Sequence, residues 1–267
     1  MQTKRILLAP LALLVLVLAG ACATTGPRGE KSLILISDQQ EKEIGQGVNQ
    51  NIRGEFPVHD DAELTAYVSS VGERLVAVSE RPEIGYEFTV LETEVVNAMA
   101  APGGFVYVTT GLLTEARNEA ELAGVLGHEI GHVVGRHSVK QIQLALGASL
   151  ALSVITPDSE AWEQVVGLGT QVALTGYGRS QENEADTFGV LYGYRAGYDP
   201  HGMLTFLEKL QNLQDRELTK FEAFFSTHPR TGDRIDHVRE ELATLPSSGK
   251  ELRVGEEEYN RHVADLR

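Results

Sequence analysis

Near its start the chain carries an almost wholly apolar run, Ile6 to Ala19, and does not repeat it. Beyond it, hydrophobic positions fall at helical spacing. Ser37 to about Ile52 reads as a helix with Ser37 as its N-cap. Asp61 to about Val78 reads as a second, with Leu64, Val68, Val71 and Leu75 along one face. Tyr86 to Leu91 and Phe105 to Thr109 then alternate as strands do, and Pro102-Gly103-Gly104 between them signals a turn. Helical spacing returns at Asn118, which with Glu121 three residues on makes a capping-box-like start to a helix reaching about Arg136. Val139 to Ile155 is apolar but broken by Gly147, Ser149 and Ser153. It is too short for a membrane span, which needs about 20 residues. It reads as a buried helix, with a membrane-facing or partner-facing helix as the alternative. Further helices are predicted at Glu160 to Thr175, Ser180 to Ala196 with Gly197 as stop, Pro200 to Leu213, and Asp233 to Leu245 before Pro246. The pattern predicts a mostly α protein with a small antiparallel β-sheet, an α+β fold without internal repeats.

The opening run follows Lys4 and Arg5 and precedes the small residues Gly20 and Ala21. A basic start, an apolar stretch and small residues are the three parts of a secretory signal peptide. Cys22 comes next, in the string Leu18-Ala19-Gly20-Ala21-Cys22, which resembles a bacterial lipobox. The large aliphatic residue stands four places before the cysteine, where the usual pattern has three. The alternative is ordinary cleavage after Ala19-Gly20-Ala21. Lipidation of Cys22 is the expectation carried forward. The organisation expected is a signal peptide at 1–21, a lipid-anchored tether at 22–36, a catalytic domain at 37–245 and a polar, loosely packed tail at 246–267.

Charge narrows the partners. The formal net charge is −15, and without residues 1–21 the balance is 21 basic against 38 acidic residues. Such a surface repels nucleic acid, so nucleic-acid binding is set aside. Cys22 is the one cysteine in the sequence, which excludes an intramolecular disulfide and a cysteine-built zinc site.

The candidate chemistry lies in His128-Glu129-Ile130-Gly131-His132, an H-E-x-x-H string inside a predicted helix. Residues four apart lie about 40° apart around a helix, so His128 and His132 share a face and can hold one ion. Neutral imidazole suits Zn²⁺, and Glu129 is placed to act as general base on a water molecule. Chance produces so short a motif in roughly one chain of this length in a hundred, so its surroundings decide. Leu122, Val125, Leu126, Ile130, Val133 and Val134 make the helix apolar, and burying two histidines and a glutamate there without partners is costly.

A metzincin would continue to a histidine at position 138, where Ser138 stands. His137 comes one residue early, about 140° around the helix from His132, and reads as a cap or surface contact rather than a ligand. The third ligand is then a carboxylate from a later helix. Glu182 and Asp186 are four apart and share a face, so one can bind the metal while the other accepts a hydrogen bond from a ligand histidine. Glu182 is the expected ligand and Glu184 the alternative, although an acidic helix start also suits the macrodipole. Two histidines and a glutamate define a gluzincin-type site with one Zn²⁺ per chain.

Four features occur here in the order seen in metallopeptidase family 48. They are the H-E-x-x-H helix, the Glu182/Asp186 pair, Asn97-Ala98 followed by Pro102-Gly103-Gly104 and Gly111-Leu112-Leu113, and Ser226-Thr227-His228-Pro229. The sequence resembles that family over roughly Ser37 to Leu245, its short periplasmic lipoprotein branch above all. The resemblance implies that His228 lies near the zinc, stabilising an oxyanion or capping the metal at rest, and that Arg234 lies close by. It implies that Asn97, Ala98, Met99 and Ala100 form an edge strand that pairs with the substrate backbone. It also implies an exported zinc endopeptidase, periplasmic and anchored to the outer membrane of a Gram-negative bacterium, acting on unfolded or misassembled envelope proteins. The competing expectation is a chaperone-like or assembly factor with a latched zinc site.

Overall fold

The computed structural model describes residues 22–151, 160–213, 218–228, 231–247, 249 and 251–267. The predicted signal peptide, 1–21, and the end of the apolar stretch, 152–155, lie outside them. The strands are Cys22–Thr24 (β1), Lys31–Leu33 (β2), Glu87–Leu91 (β3), Ala98–Ala101 (β4) and Phe105–Thr109 (β5). The helices are Asp38–Glu55 (α1), Ala62–Val76 (α2), Thr110–Glu115 (α3), Glu119–Val134 (α4), His137–Ala151 (α5), Glu160–Thr175 (α6), Arg179–Arg195 (α7), His201–Leu213 (α8), Leu218–Thr227 (α9), Thr231–Thr244 (α10) and Glu256–His262 (α11). The predicted caps form: Ser37 closes a capping box with Gln40, and the Asn118 side chain accepts from the Glu121 amide. The elements α3, α9 and α11 were not anticipated, being too short to show a period.

The small sheet has the order β3-β5-β4. The predicted antiparallel pairing holds for β4 and β5, with Ala98 opposite Val108 and Ala101 opposite Phe105. Gly103 at φ 74° makes the turn between them. Strand β3 joins the far side of β5 in parallel, Glu87 opposite Phe105, so the sheet is mixed. The link 92–97 carries the chain past the place β5 will take.

Successive strand residues point to opposite faces, and both faces are covered. Val106 and Val108 join Leu64, Val68 and Leu75 of α2 and Leu122, Leu126 and Ile130 of α4 in one apolar cluster. Phe105 and Tyr107 join Ile44, Val48 and Ile52 of α1 and Val165 of α6 in the other.

Every residue of α4 is buried, as an all-round apolar helix requires. Its chief partner is α7. A Cβ at Gly131 would lie 2.8 Å from Phe188 Cβ and 3.1 Å from the Ala185 Cα, and one at Gly127 would lie 3.1 Å from the Gly189 Cα. Glycines thus let the two helices approach closely, which brings the acids of α7 to the histidines of α4. Helix α4 ends at Val134, two residues short of the predicted end, because Arg136 takes the left-handed conformation at φ 52°.

Both segments expected as appendages pack against the domain. The stretch expected as a tether forms the β1–β2 hairpin, its Ile34 and Ile36 are buried, and Arg28 Nη2 donates to both carboxylate oxygens of Glu241 at 2.7 and 2.8 Å. The tail expected to be loose carries α11, whose Tyr259 is fully buried and donates to the Leu113 carbonyl at 2.6 Å. Val263 is buried in the same cluster and Arg253 pairs with Glu119 at 2.6 Å, so a few contacts dock a polar segment, and composition averages hide them. Helix α5 is interrupted at Gly147, φ 73°. Val139 and Ile142 are buried, whereas Leu144 is exposed. Among the described residues no helix is long and apolar enough to cross a membrane.

Candidate metal centre

Helix α4 presents His128 and His132 on one side, with their Nε2 atoms 2.9 Å apart. Helix α7 brings Glu182 against both: Oε2 lies 3.6 Å from His128 Nε2, and Oε1 lies 3.4 Å from His132 Nε2. His228 follows the end of α9 and points Nδ1 into the same spot, 3.1 Å from Glu182 Oε2 and 3.3 Å from His128 Nε2. All four side chains are buried, and the four donor atoms lie within 4.8 Å of one another. Four ligands around zinc, at Zn–N and Zn–O lengths of about 2.0–2.1 Å, stand roughly 3.3 Å apart in a tetrahedron. The donor set and its spacing therefore fit one Zn²⁺. The predicted ligands converge, and His228 joins them as a fourth donor.

Each histidine is oriented from behind. Asp186 Oδ1 accepts from His128 Nδ1 at 2.8 Å, which leaves the Nε2 lone pair facing the cluster. Arg234 on α10 donates to Asp186 through Nε at 2.9 Å and Nη2 at 2.6 Å, and its Nη1 lies 3.2 Å from Glu182 Oε2. Its guanidinium thus clamps the two acids. Behind His132 stands the residue expected as a cap or surface contact: His137 is fully buried, with Nδ1 2.8 Å from His132 Nδ1. Tyr177 stacks on the His132 ring at 3.9 Å and 18°. Spacing along the chain gave no sign of Tyr177, whose only local signal is the glycine on either side of it. Glu184, the alternative ligand, faces away from the cluster, 3.4 Å from His137 Nε2.

The electrostatics suit a cation. Burial opposes ionisation of Glu182, but His228, Arg234 and the hydrogen bonds of His132 and His228 outweigh it and hold its carboxyl well below the usual range. For Asp186, burial is likewise overcome by Arg234 and His128, down to about 2. Burial pushes His132 well below the ordinary imidazole value, so it is neutral, the form that binds metal. Burial disfavours charge on His228, but Glu182 and Glu129 raise its proton affinity; a metal cation would take that proton's place. Burial raises the Glu129 carboxyl, only partly offset by His228 and His128.

Glu129 Oε2 is buried without a hydrogen-bond partner, and Oε1 lies 3.5 Å from His228 Nε2. Beside it is a small cavity walled by Val125, Met203, Phe206, Leu207 and Phe224. The β4 segment borders the cluster on another side. Asn97, Ala98, Met99 and Ala100 are all buried. The Ala98 carbonyl accepts from His228 Nε2 at 3.4 Å, the Ala100 carbonyl from the Tyr177 hydroxyl at 3.5 Å, and Asn97 Oδ1 from the Thr227 hydroxyl at 3.2 Å. Strand β4, Ala98–Ala101, lies at the edge of the sheet, and in this conformation side chains occupy that edge.

The profile of Peptidase family M48 matches residues 62–242. The chain is 30% identical over 233 residues to the beta-barrel assembly-enhancing protease of Escherichia coli, an alignment covering 83% of this chain and 47% of that protein. It is 33% identical over 182 residues to the mitochondrial metalloendopeptidase OMA1 of Schizosaccharomyces pombe, covering 67% of this chain and 53% of the relative. It is 30% identical over 155 residues to metalloprotease LoiP of Escherichia coli, covering 55% and 59%. The chain spans about half the length of these relatives.

Proposed function

The chain belongs to peptidase family M48, and on that premise we propose that it is a zinc-dependent endopeptidase acting on unfolded or misassembled proteins of the cell envelope. The observation that carries this is the buried cluster of His128, His132, Glu182 and His228 beside a Glu129 carboxylate whose Oε2 has no hydrogen-bond partner. His128, His132 and Glu182 would hold the ion. Bound there, zinc supplies a Lewis acid that makes water nucleophilic near neutral pH and polarises a peptide carbonyl. Glu129 takes the proton of the attacking water and passes it to the leaving amine. Its burial raises its proton affinity and so helps it do so. Asp186 fixes the tautomer of His128. Arg234 keeps Asp186 and Glu182 in place; its two acid contacts favour this over a direct role at the oxyanion.

His228 stands where water and a substrate carbonyl would have to enter. Its place among the donors favours a resting conformation in which it caps the metal. It would have to withdraw, with Thr227, before a peptide could lie extended along β4 and pair through its backbone. Backbone pairing gives weak side-chain specificity, which suits unfolded substrates. The occupied edge also favours a second reading, an assembly factor whose zinc site stays latched. Export, lipidation at Cys22 and an outer-membrane location complete the proposal; the docked β1–β2 hairpin would then hold the domain close against the bilayer.

Casein hydrolysis by the purified protein, with and without a chelator, tests the activity. Chelator-sensitive cleavage restored by one zinc per chain is expected. A zinc-loaded protein that cleaves neither casein nor an unfolded envelope protein would favour the latched assembly factor.

A further inference from the structure

Immediately after the H-E-x-x-H motif the chain turns sharply. Gly135 caps α4, and Arg136 takes φ 52°, a conformation that side chains other than glycine adopt at a cost. The Arg136 guanidinium holds that turn, at 2.8 Å from the Ile36 carbonyl, 2.9 Å from Asp38 and 2.7 Å from Glu41. A continuous helix would carry His137 to the far side of α4. The turn folds it back beneath His132. Gly135 leaves the room: a Cβ there would lie 2.4 Å from His137 Nε2.

The protons along this line can be assigned. His132 presents Nε2 to the donor cluster, so its proton is on Nδ1. That N–H donates to His137 Nδ1 at 2.8 Å. His137 therefore accepts at Nδ1 and carries its own proton on Nε2. Glu184 Oε2 is 3.4 Å from that nitrogen, near enough to polarise it though not aligned as a hydrogen bond, and Lys140 lies 4.0 Å from the other Glu184 oxygen. No other arrangement leaves His132 Nε2 unprotonated while keeping the buried 2.8 Å contact between neutral rings.

We infer that His137, backed by Glu184, is a positioning residue of the metal centre: it fixes the tautomer and ring orientation that turn His132 Nε2 toward the ion. It does for His132 what Asp186 does for His128, with an imidazole in place of a carboxylate. Partners of this kind contribute about ten- to a hundredfold to metal affinity. The inference rests on the metal-centre assignment above.

The test is zinc affinity of the full chain, read by competition with a chromophoric chelator. His137→Phe keeps an aromatic ring and removes the acceptor; it should weaken zinc binding by about ten- to a hundredfold. His137→Asn should restore most of that loss, because its amide oxygen sits where Nδ1 was. Glu184→Gln should weaken binding less, and should add nothing in the His137→Phe background, since it acts through His137. Should His137→Phe fail to fold, Gly135→Ala displaces the imidazole and should give the same loss. A purely structural His137 would instead lower the melting temperature of the metal-free protein and leave zinc affinity unchanged. Wild-type affinity in folded His137→Phe would overturn the inference while leaving the metal centre intact. Absence of zinc binding by the wild type would overturn both.

Discussion

At the scale of single residues, the site separates groups that face the metal position from groups that hold them. Glu182 and Glu184 are two residues apart, about 160° around a helix, and they do different work: the first faces the donor cluster and the second faces His137. Glu129 is the one acid there with a buried oxygen free of partners. Glu129→Gln keeps the volume and loses the proton acceptor. It should retain zinc by elemental analysis and lower casein cleavage by about a hundredfold or more; loss of the metal with the activity would make Glu129 a structural residue. His228 gives a result whose sign is informative. As a resting-state cap, its removal in His228→Ala should raise proteolysis, because the fourth donor position is always open. As an oxyanion donor, its removal should lower turnover by about a hundredfold. The closed geometry favours the first outcome. Activity equal to wild type would remove His228 from the site.

At the scale of elements, metal affinity depends on how closely α4 and α7 approach. Glu182 and Asp186 ride on α7, and their distance from the histidines is set by the glycine contacts. Gly131→Ala places a Cβ 2.8 Å from Phe188 Cβ and 3.1 Å from the Ala185 Cα, so α7 must shift. Overpacking of this kind costs about 1–3 kcal/mol. Urea denaturation should show that loss, and zinc affinity should fall with it, since the ligands move apart. Reduced stability with unchanged zinc affinity would mean that α7 absorbs the side chain elsewhere.

At the scale of the whole molecule, residues 22–36 and 251–267, at the two ends of the described residues, pack against the folded domain. Tyr259 seals the space over Leu113 from the far end of the chain, and Arg267 donates to the Ala116 carbonyl at 2.6 Å. Tyr259→Ala should cost about 3–5 kcal/mol, as removal of large buried rings does, and should leave activity per folded molecule unchanged. A change within the range of surface substitutions would return the tail to the loose state expected from its composition. At the other end, Cys22→Ser should free the protein from the membrane fraction or leave its signal uncleaved. An unmodified Cys22 on a released mature chain, seen by mass spectrometry, would reject the lipid anchor and leave the zinc site untouched.

The sequence by itself determined what is local. Helical spacing, caps and turn residues fixed α1, α2, α4, α6, α7 and α8, because those signals act within one or two turns of chain. The H-E-x-x-H spacing fixed the shared face of His128 and His132 for the same reason. The pairing of Glu182 with Asp186 was legible as a helical face; the helix angle lets only one of Glu182 and Glu184 face the histidines, and Asp186 one turn on favoured Glu182. Tertiary structure decided everything that depends on two segments meeting. The parallel entry of β3, the docking of the hairpin at 22–36 and the burial of Tyr259 are contacts between segments far apart in the chain, and no period records them. The role of His137 belongs here too. Helix geometry sent it away from His132, and that geometry was right for a continuous helix. One left-handed residue, Arg136, held by the Ile36 carbonyl, Asp38 and Glu41 some hundred positions earlier, reverses its direction. A conformation stabilised by distant partners leaves no mark on the spacing of the residues that adopt it.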